Sequence, residues 1–132
     1  MEKLNKTWKI SVIVLRSLLG FLFAFGSIAY FFKLFPEPEH TGNVKTMIDG
    51  FNASFYIMPI VKVIELICGI SFLSGRYITL SNIVIFPISV NILCIHLFHL
   101  PEGLPVAAFV FISNLIMVYV YRDNYRTLLK AK

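Results

Sequence analysis

Four long apolar runs separated by short polar segments dominate the chain, covering residues 10–32, 55–74, 77–100 and 104–121. Each run has about the 20 residues that an α-helix needs to cross the ~30 Å hydrocarbon core of a bilayer. We therefore predict an all-α protein, an integral membrane antiparallel four-helix bundle that forms one transmembrane domain over residues 1–132.

Residues 33–54 form the only long segment between these runs. Pro36 and Pro38 are expected to end the first helix, because proline cannot continue it. Apolar residues then recur at helical spacing, namely Val44, Met47, Ile48 and Phe51. This pattern predicts a short amphipathic helix in the first outer loop, lying on the membrane surface.

The composition agrees with a membrane environment. Hydrophobic residues make up 58% of the 132 residues and charged residues 14%, and the mean hydropathy is +0.79. A soluble domain of this size buries only about two-thirds of its surface and could not hide so much apolar area. The lipid bilayer is therefore a predicted partner.

The basic residues lie at the ends of the apolar runs, as in membrane proteins, so the net charge of +5 does not indicate a nucleic-acid partner. Cys68 and Cys94 lie in different runs and form no C-x-x-C motif, which argues against a redox dithiol or a zinc site. Whether the two thiols approach each other stays open.

An even number of spans places both termini on the same side of the membrane. That side carries most of the basic residues, namely Lys3, Lys6, Lys9, Arg76, Arg122, Arg126, Lys130 and Lys132. The opposite side carries Lys33 and Lys45. Because cytoplasmic loops are rich in Lys and Arg, we expect both termini to be cytoplasmic, in the plasma (bacterial inner) membrane.

Three charged residues lie inside the apolar runs: Arg16 in the first, and Lys62 and Glu65 one helical turn apart in the second. Ionisable groups at bilayer depth usually face a protein interior or a polar cavity. Lys62 should lie about 4.5 Å nearer the outer face than Glu65. Arg16 should be within reach of Glu65 if the first two spans are neighbours.

Two interpretations of these charges stay open. In the first, Arg16, Lys62 and Glu65 form a buried ion-pair network that fixes the helix register. In the second, they bind an anionic or quinone-like head group, with Lys62 or Arg16 as donor and Glu65 as proton acceptor. Opposite charges favour an ionised carboxylate, which suits a counter-ion better than a general acid.

The third run adds Asn91 near the middle of the membrane, with His96 and His99 toward the outer side. We expect these polar groups to line a cavity that opens outward. The two histidines could ligate a metal, but a third ligand has no local spacing, so no metal site is predicted. Hydrogen bonds to lipid or loop groups and a pH-sensitive role are the alternatives.

Small residues in the first two runs are candidates for helix packing, namely Gly20, Gly26 and Gly69. Small side chains allow close approach of helices, and asparagines such as Asn91 and Asn114 can form hydrogen bonds between them. The chain contains no Walker loop, nucleophile elbow, H-E-x-x-H motif or dinucleotide fingerprint. No catalytic residue is therefore assigned.

Three stretches carry a resemblance to a known family: L-R-S-L-L-G-F-L-F-A-F-G at 15–26, K-V-I-E-L-I-C-G-I-S-F-L-S-G-R-Y at 62–77, and F-P-I-S-V-N-I-L-C-I-H-L-F-H at 86–99. In their order and spacing the chain resembles the DoxX-like membrane proteins over about residues 12–122. Arg16, Glu65 and Gly69 match positions that recur in that family. The resemblance implies a four-helix membrane protein, and the founding members include a membrane subunit of an archaeal thiosulfate:quinone oxidoreductase.

Three functional hypotheses follow. The first is a non-catalytic membrane partner or assembly subunit that binds a membrane or periplasmic protein and requires no cofactor. The second is a redox component that binds a quinone near Lys62, Glu65 and Asn91, as a membrane subunit of a quinone-linked oxidoreductase. The third, a small-molecule transporter, is weaker because the chain shows no duplicated halves.

Overall fold

The computed structural model describes residues 5–132. Its α-helices are α1 (Lys6–Phe32), α2 (Gly42–Ala53), α3 (Ile57–Ser74), α4 (Ile78–Phe98) and α5 (Leu104–Val120). Two short 3-10 turns, Pro101–Gly103 and Arg122–Tyr125, flank α5. Residues 5–132 contain no β-strand. Lys3, one of the basic residues used for the orientation, lies outside the described residues.

Four of the helical segments are long and apolar enough to cross a membrane: α1, α3, α4 and the stretch Pro101–Val120. The predicted all-α membrane bundle is thus confirmed, and the chain is a multi-pass membrane protein. α1 begins at Lys6 rather than at residue 10, because Asn5 caps it: the Asn5 side chain accepts a hydrogen bond of 2.7 Å from the Trp8 backbone N–H.

The four spanning helices form a closed ring. α1 makes its main contact with α3, α3 also packs on α4, α4 packs on α5, and α5 returns to α1. The largest fully buried apolar side chains in the centre are Phe72, Leu19, Ile85, Met117 and Val12. Large apolar side chains also cover the outside of every spanning helix. This exterior suits lipid contact, because a soluble protein rarely exposes apolar patches of this extent.

The helix α2 lies across one end of the bundle, as the amphipathic pattern predicted. Its apolar residues Val44, Met47, Ile48 and Phe51 are half-buried, and α2 packs on α3. We call this end, which holds residues 33–56 and 99–103, the loop end. The opposite end holds the start of α1, the turn at residues 75–77 and residues 121–132, and we call it the terminal end.

Candidate functional site

The two charges of α3 form an ion pair inside the bundle. Lys62 Nζ lies 2.9 Å from Glu65 Oε2, a contact between residues one helical turn apart. Glu65 is only 4% exposed, whereas the Lys62 side chain is 22% exposed. The carboxylate therefore sits within the protein, and the ammonium group reaches from it toward the edge.

Glu65 is enclosed because α1 and α3 approach each other closely one turn further along. A Cβ atom added to Gly20 would lie 2.8 Å from the Gly69 carbonyl oxygen, and one added to Gly69 would lie 2.7 Å from the Ala24 backbone nitrogen. These distances leave no room for any side chain at either glycine. Gly20 and Gly69 thus lie at the closest approach of the two backbones, where small residues bring helices together.

Lys62 lines a cavity of about 690 Å³ at the loop end, between the last turns of α1, the following loop and the start of α3. Its Nζ lies 5.9 Å from the centroid of the Tyr30 ring, within range of a cation–π interaction. The cavity is also lined by the polar residues Lys33 and Glu37 and by the apolar residues Ala29, Phe35, Pro36, Pro38 and Met58. The cavity therefore combines the half-buried ammonium group of Lys62 with apolar walls.

Gly26 also lines this cavity, which corrects its predicted role in helix packing. A Cβ atom added to Gly26 would meet no atom within 4 Å. The absent side chain leaves space in front of Lys62 instead of bringing a second helix close. The loop after α1 and the first turns of α3 surround the cavity at that position without filling it.

The structure also corrects the expectation that Arg16 reaches Glu65. Across the described chain, no ion pair within 4.0 Å joins Arg16 to Glu65. The Arg16 guanidinium instead lies against Gly75, 3.1 Å from the position that a Cβ atom would take there. Gly75 caps the C-terminus of α3, about 15 Å along the helix from Glu65. Arg16 therefore faces the negative end of the α3 dipole.

Asn91 does not line the interior, contrary to the prediction, because it is exposed on the outer surface of α4. His96 is half-buried at the loop end, where its Nδ1 lies 3.1 Å from the Leu100 carbonyl oxygen and its ring packs against Gly103. His99 ends α4 as its C-terminal cap. These three side chains thus lie at different places and form no single site with Lys62.

Metal and disulfide chemistry find no support in the described residues. Between residues 5 and 132, no group of three His, Cys, Asp or Glu side chains is arranged to hold a metal ion. Cys68 is buried, Cys94 is half-buried, and both are free thiols.

The sequence interpretation missed the buried serines of α3, α4 and α5, which lie at several depths in the bundle, namely Ser71, Ser81, Ser89 and Ser113. The Ser81 hydroxyl donates to Ser71 Oγ at 2.8 Å and so links α4 to α3. The hydrogen bond between helices predicted for Asn114 is present, since Asn114 Nδ2 donates to Asn82 Oδ1 at 3.4 Å and links α5 to α4. The spacing of Ser81 and Ser89, about two helical turns apart on α4, could have indicated these buried positions, since small polar residues often face neighbouring helices.

The fold and these charges define a class: a small multi-pass membrane protein with a buried ion pair beside a cavity at one end of its bundle. No protein-family model matches the chain, and it shows no significant match to a curated protein or to a solved structure.

Proposed function

We propose that the protein is a DoxX-like membrane component that holds the head group of an amphiphile, such as a quinone, in the cavity beside Lys62. In this role it is a non-catalytic partner or assembly subunit of a membrane redox system. The observation that carries the proposal is the position of Lys62, whose ammonium group lines the cavity while Glu65 holds it at 2.9 Å.

The chemistry of the cavity suits a head group with acceptor oxygens. An ammonium group has three donors, and the contact with Glu65 uses one of them. The remaining donors can bind the carbonyl oxygens of a quinone or the oxygens of an anionic head group. The cavity volume of about 690 Å³ lies in the ordinary range for small-ligand sites, and its apolar wall suits the body of such a ligand.

The distribution of charge supports an orientation for the proposed site. The described basic residues at the terminal end are Lys6, Lys9, Arg76, Arg122, Arg126, Lys130 and Lys132, against Lys33 and Lys45 at the loop end. The positive-inside rule then favours a plasma membrane protein with cytoplasmic termini. The cavity beside Lys62 would open toward the outer side, where a periplasmic or membrane partner has access.

Filling the cavity tests the proposal. We expect Gly26→Leu to reduce the binding of a short-chain ubiquinone analogue to the purified protein in nanodiscs by ten-fold or more, because the new side chain enters the cavity without meeting the backbone. Ile28→Phe is the matched control, since Ile28 is exposed near the same depth and does not line the cavity. Phosphatidylglycerol, titrated in the same way, distinguishes an anionic head group from a quinone.

The charge of Lys62 can be tested separately from its packing. The double variant Lys62→Gln with Glu65→Gln keeps a hydrogen-bonded pair but removes both charges. We expect it to fold and to lose binding in the titration that succeeds with the wild type. Binding that survives both this variant and Gly26→Leu, or a wild type that binds neither ligand, would overturn the proposal.

A further inference from the structure

One face of α4 exposes a polar residue to the lipid. Five residues lie along this face, within about 60° of arc at 100° per residue: Leu80, Val84, Pro87, Asn91 and Phe98. All five are exposed. We call them the α4 stripe. It runs the length of the helix and is not covered by α3 or α5, the two helices on which α4 packs.

Asn91 lies well below the membrane surface. It follows Ile78, the first residue of α4, by about 20 Å and precedes Phe98, the last, by about 10 Å along the helix axis. These positions fall inside a hydrocarbon core of about 30 Å. A primary amide has two N–H donors and a carbonyl acceptor, and lipid tails satisfy none of them.

Pro87 adds a second unsatisfied group to the same part of α4. Proline has no backbone N–H, so the carbonyl of Ile83 one turn earlier lacks its helical donor. Ile83 itself is 43% exposed. The stripe thus carries the Asn91 amide, which requires a protein partner, flanked by the apolar side chains of Leu80, Val84 and Phe98 and with the free Ile83 carbonyl at its margin.

We propose that this partner is a second copy of the chain, packed through the α4 stripe about a twofold axis along the membrane normal. In such an arrangement each residue of the stripe faces the same stripe on the second copy. An amide is self-complementary, because it can donate to and accept from an identical amide. The Asn91 amides of the two copies therefore satisfy each other at equal depth, a match that a lipid head group about 10 Å away does not provide.

Disulfide cross-linking in native membranes locates the interface. Cys68 and Cys94 are first replaced by alanine, and a single cysteine is then introduced by Val84→Cys, on the stripe but away from Asn91. Ile67→Cys is the matched control, because Ile67 is 61% exposed on α3 and lies about 10 Å from the terminal end, near the depth of Val84. We expect copper phenanthroline to convert the Val84→Cys protein to a homodimer and to leave the Ile67→Cys protein monomeric.

The role of the amide is measured by energy transfer between labelled copies diluted into liposomes. We expect Asn91→Leu to raise the dimer dissociation constant about ten-fold, the effect of losing an interhelical hydrogen bond of this kind. Asn91→Gln, which keeps the amide, should stay within about three-fold of the wild type. Asn91 is exposed in the single chain. The monomeric Asn91→Leu protein should therefore have the same melting temperature as the monomeric wild type, or a higher one.

Each alternative outcome overturns the inference. Equal cross-linking at positions 84 and 67 would indicate random collision, and a Val84→Cys cross-link to a different protein would identify another occupant. An unchanged dissociation constant for Asn91→Leu would show that the amide does not hold the interface.

Discussion

The close approach of α1 and α3 makes a quantitative prediction that two glycines of the same helix can test. Gly20 faces the backbone of α3, whereas Gly26, further along α1, faces open space. Both are changed to alanine. The gain in helix propensity from glycine to alanine, at most about 1 kcal/mol, applies to each variant. The difference between the two variants therefore reports the steric contact alone.

The loss of stability expected for Gly20→Ala follows from the distances around Gly20. A Cβ atom there would lie 2.8 Å from the Gly69 carbonyl oxygen, 3.0 Å from the Leu73 nitrogen and 3.0 Å from Phe72 Cβ, whereas ordinary contact begins near 3.4 Å. The nearest obstacles are backbone atoms, so the helices must separate by several tenths of an ångström. Overpacking of this kind destabilises proteins by about 1–3 kcal/mol. We expect Gly20→Ala to be less stable than Gly26→Ala by that amount.

Reversible unfolding in mixed detergent, followed by circular dichroism, provides the comparison. Both variants should unfold in one transition, with the midpoint of Gly20→Ala below that of Gly26→Ala. Gly69→Ala should behave like Gly20→Ala, since its Cβ would lie 2.7 Å from the Ala24 nitrogen. Equal midpoints for Gly20→Ala and Gly26→Ala would refute the close approach of α1 and α3.

Three further predictions concern charge. Glu65→Gln should lower the free energy of unfolding by about 1–3 kcal/mol, because it removes the charged partner of half-buried Lys62; an unchanged unfolding midpoint would contradict a structural role for the pair. Burial raises the pKa of the Tyr125 phenol, whose hydroxyl donates a hydrogen bond of 2.9 Å to the Thr79 carbonyl oxygen, so the folded state keeps a proton that the unfolded state releases above pH ~10. Stability should therefore be constant below pH ~10 and fall above it, and the fall should be smaller in Tyr125→Phe when melting temperatures are compared across pH. Alkaline phosphatase fused after Lys132 should be inactive and a fluorescent protein there should be bright; the reverse result would invert the orientation.

Features that depend on a single helix could be predicted from the sequence. The spans follow from the length of the apolar runs, because a helix rises 1.5 Å per residue whatever surrounds it. The contact between Lys62 and Glu65 follows in the same way, since residues three apart lie on one side of a helix. The helix α2 could also be predicted, because its apolar residues, which are half-buried in the structure, recur with the helical period.

Features that depend on how one helix meets another were decided only by the tertiary structure. The sequence placed Arg16 and Glu65 on helix faces that could meet, but Arg16 of α1 lies against Gly75 at the C-terminal end of α3, whereas Glu65 pairs with Lys62 within α3. Gly20 and Gly26 look alike in sequence, yet one meets a backbone and the other a cavity. Asn91 resembles Asn114, yet Asn114 is buried against Asn82 and Asn91 faces outward. The rotation and relative height of each helix arise from packing over the whole ring, whereas local spacing fixes only positions within one helix.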